Sequence, residues 1–119
     1  MKGADVDDCI FCRVIKGEIQ GDIVYQDNSV VAFKDINPKA PVHILIVPRK
    51  HIATLPDLRP DDKGLIGDIF YVAAQLAGRL GISKDGFRVV VNCGAGAGQS
   101  VYHLHFHLLG GRPFTWPPG

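Results

Sequence analysis

A chain of 119 residues is long enough for one domain whose hydrophobic core needs no disulfide bonds. Thirteen basic and twelve acidic residues leave a formal net charge of +1, and no run of Lys or Arg could follow a phosphate backbone, which argues against a nucleic-acid-binding protein. The first residues, MKGADVDDC, contain no apolar segment typical of a secretion signal, and the apolar stretches have the length of strands. We therefore expect a cytoplasmic protein without a membrane span.

Hydrophobic periodicity predicts two helices and five strands. In chain order these are a short helix, two hairpin strands, a central strand, a long helix and two final strands: Cys9–Lys16, Ile23–Gln26, Val30–Lys34, Val42–Val47, Pro60–Leu80, Phe87–Asn92 and Tyr102–Leu109. Gly17 ends the first helix and Gly81 ends the second. This order indicates an α+β domain with an antiparallel sheet of about five strands and one long and one short helix.

Three of the five histidines occur close together in the segment YHLHFHLLGG, Tyr102 to Gly111. Side chains alternate between the two faces of a strand, so we expect His103, His105 and His107 to share one face. Imidazole serves as a nucleophile, a proton carrier and a metal ligand. The pattern alone therefore allows an active site, a metal site or, less informatively, surface histidines on a half-exposed strand.

A glycine-rich loop, Asn92 to Ser100, precedes the histidines and has glycine at every second position of its middle part. Glycine allows close backbone approach, so successive N–H groups of such a loop can converge on an anion, and Ser100 would add a hydroxyl donor. No Gly-Lys-Ser/Thr sequence follows, which excludes a Walker loop. Beside three histidines, the loop predicts a phosphate site.

Cys9 and Cys12 form a C-x-x-C pair, a spacing that can place two thiolates on one zinc ion. An odd number of cysteines in a reducing compartment favours metal binding or free thiols over a disulfide framework. His51 and one histidine of the later row are candidates for the other ligands. The alternative is a pair of ordinary reduced cysteines in a helix, and Cys93 is interpreted as a small loop residue.

The segment His103-Leu104-His105-Phe106-His107-Leu108-Leu109 resembles the signature of the histidine triad (HIT) family. Four further segments are similar to the nucleotide-binding, or Hint, branch of that family: Asp35-Ile36-Asn37-Pro38, Ala40-Pro41-Val42-His43, Gly98-Gln99-Ser100-Val101-Tyr102 and Trp116-Pro117-Pro118-Gly119. The resemblance covers nearly the whole chain from Cys9. It implies the α+β HIT-like fold, with a single domain over residues 9–119 after an N-terminal tail of residues 1–8.

The activity that this resemblance implies is hydrolysis of purine nucleoside phosphoramidates, such as adenosine phosphoramidate, at the α-phosphorus. His105 would be the nucleophile that becomes nucleotidylated, and His107 would contact the phosphate and help to protonate the leaving amine. His43 would belong to a hydrogen-bonded proton relay beside the triad. The alternative is a nucleotide-binding regulatory or partner-binding protein with incidental hydrolase activity.

The resemblance also implies the residues that bind the nucleotide. Asn92, Gly98 and Ser100 match phosphate and leaving-group contacts, and Asp35 matches the acceptor of the ribose hydroxyls, against the alternative of a turn residue. The complete predicted set is Ile10, Phe11, Phe33, Asp35, Ile36, Asn37, Asn92, Gly98, Gln99, Ser100, His105 and His107. Of these, Ile10, Phe11 and Phe33 would line the base pocket.

A structural zinc site and a homodimer complete what the resemblance implies. The zinc ligands would be Cys9, Cys12, His51 and His103, and four protein ligands leave no open position for water. As a ligand His103 would position its strand, whereas without zinc it would be a third catalytic relay residue; a catalytic metal on the histidine row is a further possibility. The dimer would form through the long helix and a strand, with Trp116 of the tail shaping leaving-group preference.

Overall fold

The computed structural model describes residues 8–119, so residues 1–7, most of the predicted N-terminal tail, lie outside the described part of the chain. The described residues form two α-helices and five strands: α1 (Ile10–Ile15), β1 (Ile23–Gln26), β2 (Val30–Lys34), β3 (Val42–Pro48), α2 (Lys63–Arg79), β4 (Phe87–Val91) and β5 (Phe106–Gly110). Three short 3-10 turns lie between them, at Leu55–Asp57, Pro60–Asp62 and Ala95–Ala97. Neither described helix combines the length and the hydropathy needed to cross a bilayer.

The five strands form one antiparallel sheet in the order β1-β2-β3-β5-β4. The hairpin of β1 and β2 has the predicted bounds, and Asp27 closes it by accepting N–H bonds from Ser29 and Val30 at 2.7 and 2.8 Å. The long connection through α2 leads from β3 to β4 at the edge of the sheet, and β5 then returns between β4 and β3. The predicted α+β class, with about five antiparallel strands and one long and one short helix, is confirmed.

The central strand β3 divides the core between the two faces of the sheet. Ile44 and Ile46 pack in the cluster that α2 covers, whereas Leu45 and Val47 pack in a second cluster with α1. His43 alternates in step with Leu45 and Val47, so its imidazole lies on the α1 face. The apolar residues therefore build the core, and the chemically active ones meet on the α1 side of the sheet.

The long helix is anchored by five buried apolar residues on one face: Ile69, Val72, Ala73, Leu76 and Ala77. The predicted start at Pro60 is instead a 3-10 turn, and regular α-helix begins at Lys63. Asp62 closes this turn because its carboxylate accepts the Arg59 N–H at 2.9 Å and a bond from the Lys50 ammonium at 2.7 Å. Packing of this face on β3 and β5 compensates for the glycines in the helix.

The last strand is shorter than predicted, since it begins at Phe106 and not at Tyr102. Of the three histidines only His107 therefore lies in the strand. In the antiparallel register, Phe106 pairs with Ile46, so Leu104 would pair with Pro48. Proline has no N–H to donate, and the ladder ends there.

The alternation of faces nevertheless continues through the irregular segment before β5. Leu104, Phe106 and Leu108 are fully buried in the α2 cluster. The rings of His103 and His105 both approach the edge of Phe11, on the α1 side. The prediction that the three histidines share one side is confirmed without a continuous strand.

The C-terminal tail docks through Phe114, whose ring contacts two guanidinium groups. The Cζ atoms of Arg112 and Arg88 are 4.4 and 5.2 Å from its centroid. Arg88 also donates to the Thr115 carbonyl at 3.0 Å. Trp116, in contrast, is 82% exposed, so only the first of the two tail aromatics docks on this chain.

Candidate active site

His105 is held in one tautomer by the backbone. Its Nδ1 lies 2.7 Å from the His103 carbonyl oxygen, which can only accept a hydrogen bond. The proton of the neutral ring is therefore on Nδ1, and Nε2 keeps a free lone pair. The ring is 7% exposed and rests against the edge of Phe11, with the ring centroids 5.1 Å apart.

His107 is held in a defined tautomer by a chain of two hydrogen bonds. The Lys39 backbone N–H donates to His43 Nδ1 at 3.0 Å, so neutral His43 must carry its proton on Nε2. That N–H lies 2.9 Å from His107 Nδ1, to which it donates. Neutral His107 consequently carries its own proton on Nε2.

Burial lowers the pKa of His107 to about 4, and the imidazoles of His105 and His43 act in the same direction. Burial also lowers the pKa of His43, while the nearby Asp35 carboxylate opposes that change. Asp35 Oδ2 is 3.3 Å from His43 Nε2, and its Oδ1 accepts the Asn37 N–H at 2.7 Å. At neutral pH, both imidazoles of this pair are therefore uncharged.

An apolar cavity of about 320 Å³ opens on one side of His107. Its walls include the predicted base-pocket residues and several residues that the sequence did not indicate: Ile10, Phe11, Val14, Ile19, Gln20, Gly21, Phe33, Lys34, Asp35, Ile36, Leu45, Ser100, Val101, His105 and His107. We call it the apolar cavity. It is wide enough for a planar ring system, and His105 forms part of its wall.

A second cavity, of about 460 Å³, is also lined by His107. Its lining combines predicted residues with three cationic side chains and part of the tail: Asp35, Asn37, Lys39, His43, Arg88, Val90, Asn92, Ser100, His107, Leu109, Arg112, Phe114 and Pro118. We call it the basic cavity. Asp35, Ser100 and His107 line both cavities, so the two meet at these residues.

The glycine-rich loop holds itself together with the groups that were expected to bind an anion. The N–H groups of Ala97, Gly98 and Gln99 donate to loop carbonyls at 3.0–3.1 Å, and the Gly94 N–H donates to the Gln99 side chain at 2.9 Å. Gly94 and Gly98 adopt φ of 84° and 87°, which glycine tolerates. The expected convergence of these N–H groups on an anion is therefore not formed.

Gln99 has an internal role that its place in the motif did not reveal. Its side chain is 5% exposed, and its Nε2 donates to the carbonyls of Ala53 and Val101 at 2.8 and 3.1 Å. Neither Gly98 nor Gln99 lines either cavity, whereas Asn92 and Ser100 do. Contact of Gly98 and Gln99 with a nucleotide stays a prediction.

Cys9, Cys12, His51 and His103 form a cluster that could hold a metal ion, with their ligand atoms all within 4.8 Å of one another. The Nδ1 atoms of the two histidines are 3.2 Å apart, and three sulfur-to-nitrogen distances are 3.3–3.5 Å. A tetrahedral zinc ion with ordinary bond lengths requires about 3.3 Å between two nitrogen ligands and about 3.5 Å between a sulfur and a nitrogen ligand. The donor set and its spacing therefore fit zinc.

His103 directs its lone pair towards this cluster and not towards His105. Its Nε2 lies 2.8 Å from the Pro48 carbonyl, so Nε2 carries the proton and Nδ1 is free to act as a ligand. The side chain is fully buried, and burial lowers its pKa to about 4 although the Pro48 hydrogen bond opposes the change. His103 reaches His105 only through its backbone carbonyl.

The sequence did not reveal that Lys39, Arg88 and Arg112 line a cavity beside the histidines. They come from the loop before β3, from β4 and from the tail. No local spacing connects these positions, because the order of strands in the sheet brings them together. For Lys39, its place next to the Asp35-Ile36-Asn37-Pro38 segment was the one available signal.

Comparison with known proteins agrees with this architecture. Residues 16–114 match the HIT domain family. A HIT-like protein of Synechocystis, named as uncharacterised, is 50% identical over 113 residues, 95% of this chain and 98% of the relative. Purine nucleoside phosphoramidase of Escherichia coli K12 is 48% identical over 107 residues, 90% of each chain.

The crystal structure of a HIT family hydrolase from Legionella pneumophila superposes with a TM-score of 0.92 at 50% identity, covering 94% of this chain and all of that one. The chain therefore belongs to the HIT family.

Proposed function

We propose that this HIT-family hydrolase cleaves purine nucleoside phosphoramidates at the α-phosphorus through a nucleotidylated His105. The observation that carries the proposal is the His105 side chain itself, which forms part of the wall of the apolar cavity and donates its Nδ1 proton to the His103 carbonyl, so that the lone pair of the neutral ring is on Nε2. A neutral imidazole with a directed lone pair is a competent nucleophile for phosphorus. The phosphoramidase activity of the E. coli relative supports the choice of substrate.

The reaction would consist of two displacements at phosphorus. In the first, the Nε2 lone pair of His105 forms a bond to phosphorus while the P–N bond to the amine breaks, and the amine nitrogen takes the bonding pair and a proton. In the second, water oxygen bonds to phosphorus while the P–Nε2 bond breaks, giving the nucleoside monophosphate and a proton. The His103 carbonyl stabilises the positive charge that His105 carries in the intermediate.

His107 is suited to supply the proton to the amine. Its Nε2 carries hydrogen because His43 donates to its Nδ1. In the free protein the ring is neutral, because burial lowers its pKa to about 4. A bound phosphoryl anion favours the protonated ring, so the substrate itself would raise the pKa of His107 and increase the fraction of rings with a proton to give to the amine.

The two cavities suggest how the substrate lies. The purine would occupy the apolar cavity against Phe11 and Phe33, and Asp35 would accept bonds from the ribose hydroxyls at its rim. The α-phosphate would lie where the cavities meet, within reach of the Ser100 hydroxyl and the Asn92 amide. These donors would offset the charge that develops on the phosphoryl oxygens.

A structural zinc ion held by Cys9, Cys12, His51 and His103 belongs to the same proposal. When bound it would tie α1, which carries Ile10 and Phe11, to the segment before β5. It would supply no water or open position to the reaction. We further propose that the protein is a cytoplasmic homodimer.

Turnover of adenosine phosphoramidate tests the proposal directly. We expect the wild-type protein to release ammonia and AMP, and His105→Ala to abolish release while AMP still binds, because the cavity walls remain. Lys84→Ala, a change of an exposed residue that lines neither cavity, serves as the control. Unchanged turnover in His105→Ala would rule out the mechanism.

The same assay separates an enzyme from a binding protein. Tight binding of AMP or GMP by a protein that turns over neither phosphoramidates nor dinucleotides would favour the regulatory or partner-binding alternative. Activity that disappears on exhaustive chelation and returns with zinc, in a protein that stays folded and binds AMP unchanged throughout, would favour a catalytic metal instead.

A further inference from the structure

The basic cavity contains more positive charge than the proposed chemistry at phosphorus needs. We propose that it is a leaving-group subsite that selects amines bearing an anionic group, a carboxylate or a phosphate. This inference rests on the proposed phosphoramidase function. It adds the chemical class of the leaving group, which neither the fold nor the relatives specify.

The position of the cavity assigns it to the leaving group. The entering and leaving atoms lie roughly in line in a displacement at phosphorus. His105 lines the apolar cavity but not the basic one, whereas His107 lines both. A group that departs opposite to His105 Nε2 and beside His107 therefore enters the basic cavity.

The charges in the cavity are unequal. Lys39, Arg88 and Arg112 contribute three positive charges, and Asp35 is the one carboxylate among the described lining residues. That carboxylate lies at the boundary with the apolar cavity and is already bonded to the Asn37 N–H, with His43 Nε2 3.3 Å away. The cationic side chains are thus not neutralised by a nearby acid.

The tail fixes two of the three cations in place. The Phe114 ring holds the guanidinium groups of Arg112 and Arg88 at 4.4 and 5.2 Å from its centroid. Arg112 Nε donates to the Lys39 carbonyl at 3.0 Å, and Arg88 donates to the Thr115 carbonyl at the same distance. Orienting the guanidinium groups before binding reduces the entropy lost when a ligand arrives.

Lys39 is the best of the three cationic residues to substitute, because its side chain carries the charge of interest and its backbone makes both of its bonds. Its ammonium has no hydrogen-bond or ion-pair partner among residues 8–119, although its charge reaches His43 and helps to lower the pKa of that ring. The two bonds that Lys39 makes, to His43 Nδ1 and from Arg112 Nε, use its backbone alone. A substitution of the side chain therefore removes charge without removing either bond.

Four adenosine phosphoramidates that differ in the amine test the proposal: alanine, its neutral isostere alaninamide, phosphoethanolamine, and ethylenediamine. Solvent-exposed ion pairs each change rates or affinities by up to about fivefold, so three together should give about a tenfold preference in kcat/KM for alanine over alaninamide. The cationic ethylenediamine substrate should be the slowest. The preference should shrink when the ionic strength rises from about 0.05 to 0.5 M.

Variants of Lys39 show whether the preference comes from this cavity. Lys39→Gln should reduce the alanine-to-alaninamide ratio about threefold, and Lys39→Arg should keep the ratio. Any effect of the lost charge on His43 is common to both substrates and cancels in this ratio. Lys84→Gln removes an exposed charge elsewhere and should leave both rates at the wild-type values. Because the neutral substrate reports on folding and chemistry in each variant, a misfolded protein is recognised at once.

Each outcome decides the proposal. A preference for either anionic substrate that depends on Lys39 supports it, and the faster of the two identifies carboxylate or phosphate as the preferred group. Equal rates for alanine and alaninamide, or a preference that Lys39→Gln does not change, would overturn it while leaving the phosphoramidase intact. Failure of all four substrates while adenosine phosphoramidate is turned over would also overturn it, whereas failure of adenosine phosphoramidate as well would refute the proposed function itself.

Discussion

Each imidazole on the α1 side of the sheet has its free nitrogen selected by a partner at the other nitrogen. The His103 carbonyl does this for His105, the Pro48 carbonyl does it for His103, and His43 does it for His107. The three histidines of one sequence motif therefore differ in which ring nitrogen carries the proton and in what that nitrogen faces. His105 presents a lone pair to the cavity, His107 presents an N–H, and His103 turns its lone pair to the cysteines.

His43 is expected to act as a positioning residue for His107. Without its Nε2–H, the proton of His107 can move to Nδ1, and fewer molecules present an N–H to the amine. We predict that His43→Ala lowers kcat for adenosine phosphoramidate about 10- to 100-fold. His43→Gln, which can donate from its amide, should recover part of this loss.

AMP affinity provides the second measurement for His43. Both His43 variants should bind AMP as the wild type does, since the residue does not line the apolar cavity. A parallel fall in AMP affinity and kcat would indicate that His43 only supports the structure, and failure of the glutamine variant to recover any rate would argue against the tautomer mechanism.

The lowered pKa of His107 makes the stability of the protein depend on pH. The unfolded chain protonates this imidazole near pH 6.5, whereas the folded protein does so only near pH 4. The unfolded state therefore binds more protons in this interval, and stability is lost as pH falls from about 6.5 to 4. Protonated His105 and His43 would oppose protonation of the His107 ring, whereas the Asp35 carboxylate would favour it.

Comparison with His107→Gln isolates this contribution. Glutamine can still accept the His43 hydrogen bond but does not titrate, so between pH 7 and 5 the wild type should lose about 1–2 kcal/mol more free energy of unfolding than the variant. Acid effects on the cysteine cluster are common to both proteins and cancel. Urea unfolding at the two pH values measures the difference, and equal losses would contradict the prediction.

At the scale of elements, α1 is a short helix that packs on the sheet through three buried residues. It has six residues, Cys9 caps its first turn by accepting the Cys12 N–H at 3.3 Å, and Phe11, Cys12 and Val14 are buried. A helix of this length does not persist without tertiary contacts. The cysteine and histidine cluster therefore connects the helix that lines the apolar cavity to the rest of the molecule.

Removal of metal tests this connection with readouts other than activity. We expect about one zinc per chain by elemental analysis, a lower melting temperature after chelation, and a fall in AMP affinity because α1 carries Ile10 and Phe11. Cys12→Ser should reproduce these effects, whereas Cys93→Ser, at a cysteine outside the cluster, should not. A metal-free protein with wild-type stability would refute the structural role of zinc.

The local sequence pattern was sufficient to predict those elements whose bounds depend on their own residues. The hairpin strands and most of β3 follow from alternation and turn residues, and the facing of the histidines follows from the period of extended chain. The start of β5 could not be predicted because it depends on Pro48 in another strand. The internal bonds of Gln99 and the basic cavity depend likewise on distant segments, so the shared side of the three histidines was predictable from the sequence and the cationic surroundings of His107 were not.

At the scale of the whole molecule, the outer face of α2 carries small and aromatic residues where a helix exposed to solvent usually carries charged ones. Gly67, Tyr71, Ala74 and Gly78 follow one another at helical spacing opposite the buried face, and all four are exposed. Tyr71 is 68% exposed, and the neighbouring Phe70 is 48% exposed. Small residues at this spacing allow close approach of another surface.

The edge strand β4 contributes a second unpartnered feature in the described sheet. Its outer edge presents unpaired backbone groups in the described sheet, and Phe87 at its start is 39% exposed. An exposed apolar helix face and an open strand edge are each typical of a protein interface. A second copy of this chain is the partner that the homodimer proposal assigns to it.

Ala74→Arg tests whether these surfaces pair two copies of the chain. A long charged side chain in the middle of the stripe would have to be buried without a partner, so we predict that the wild type elutes with the mass of a dimer at micromolar concentration and the variant with that of a monomer. Asn28→Arg places the same group in the β1–β2 turn, at the opposite edge of the sheet, and should remain dimeric. Light scattering coupled to gel filtration measures both masses. A monomeric wild type would refute the dimer, and a dimeric Ala74→Arg protein would place the interface elsewhere.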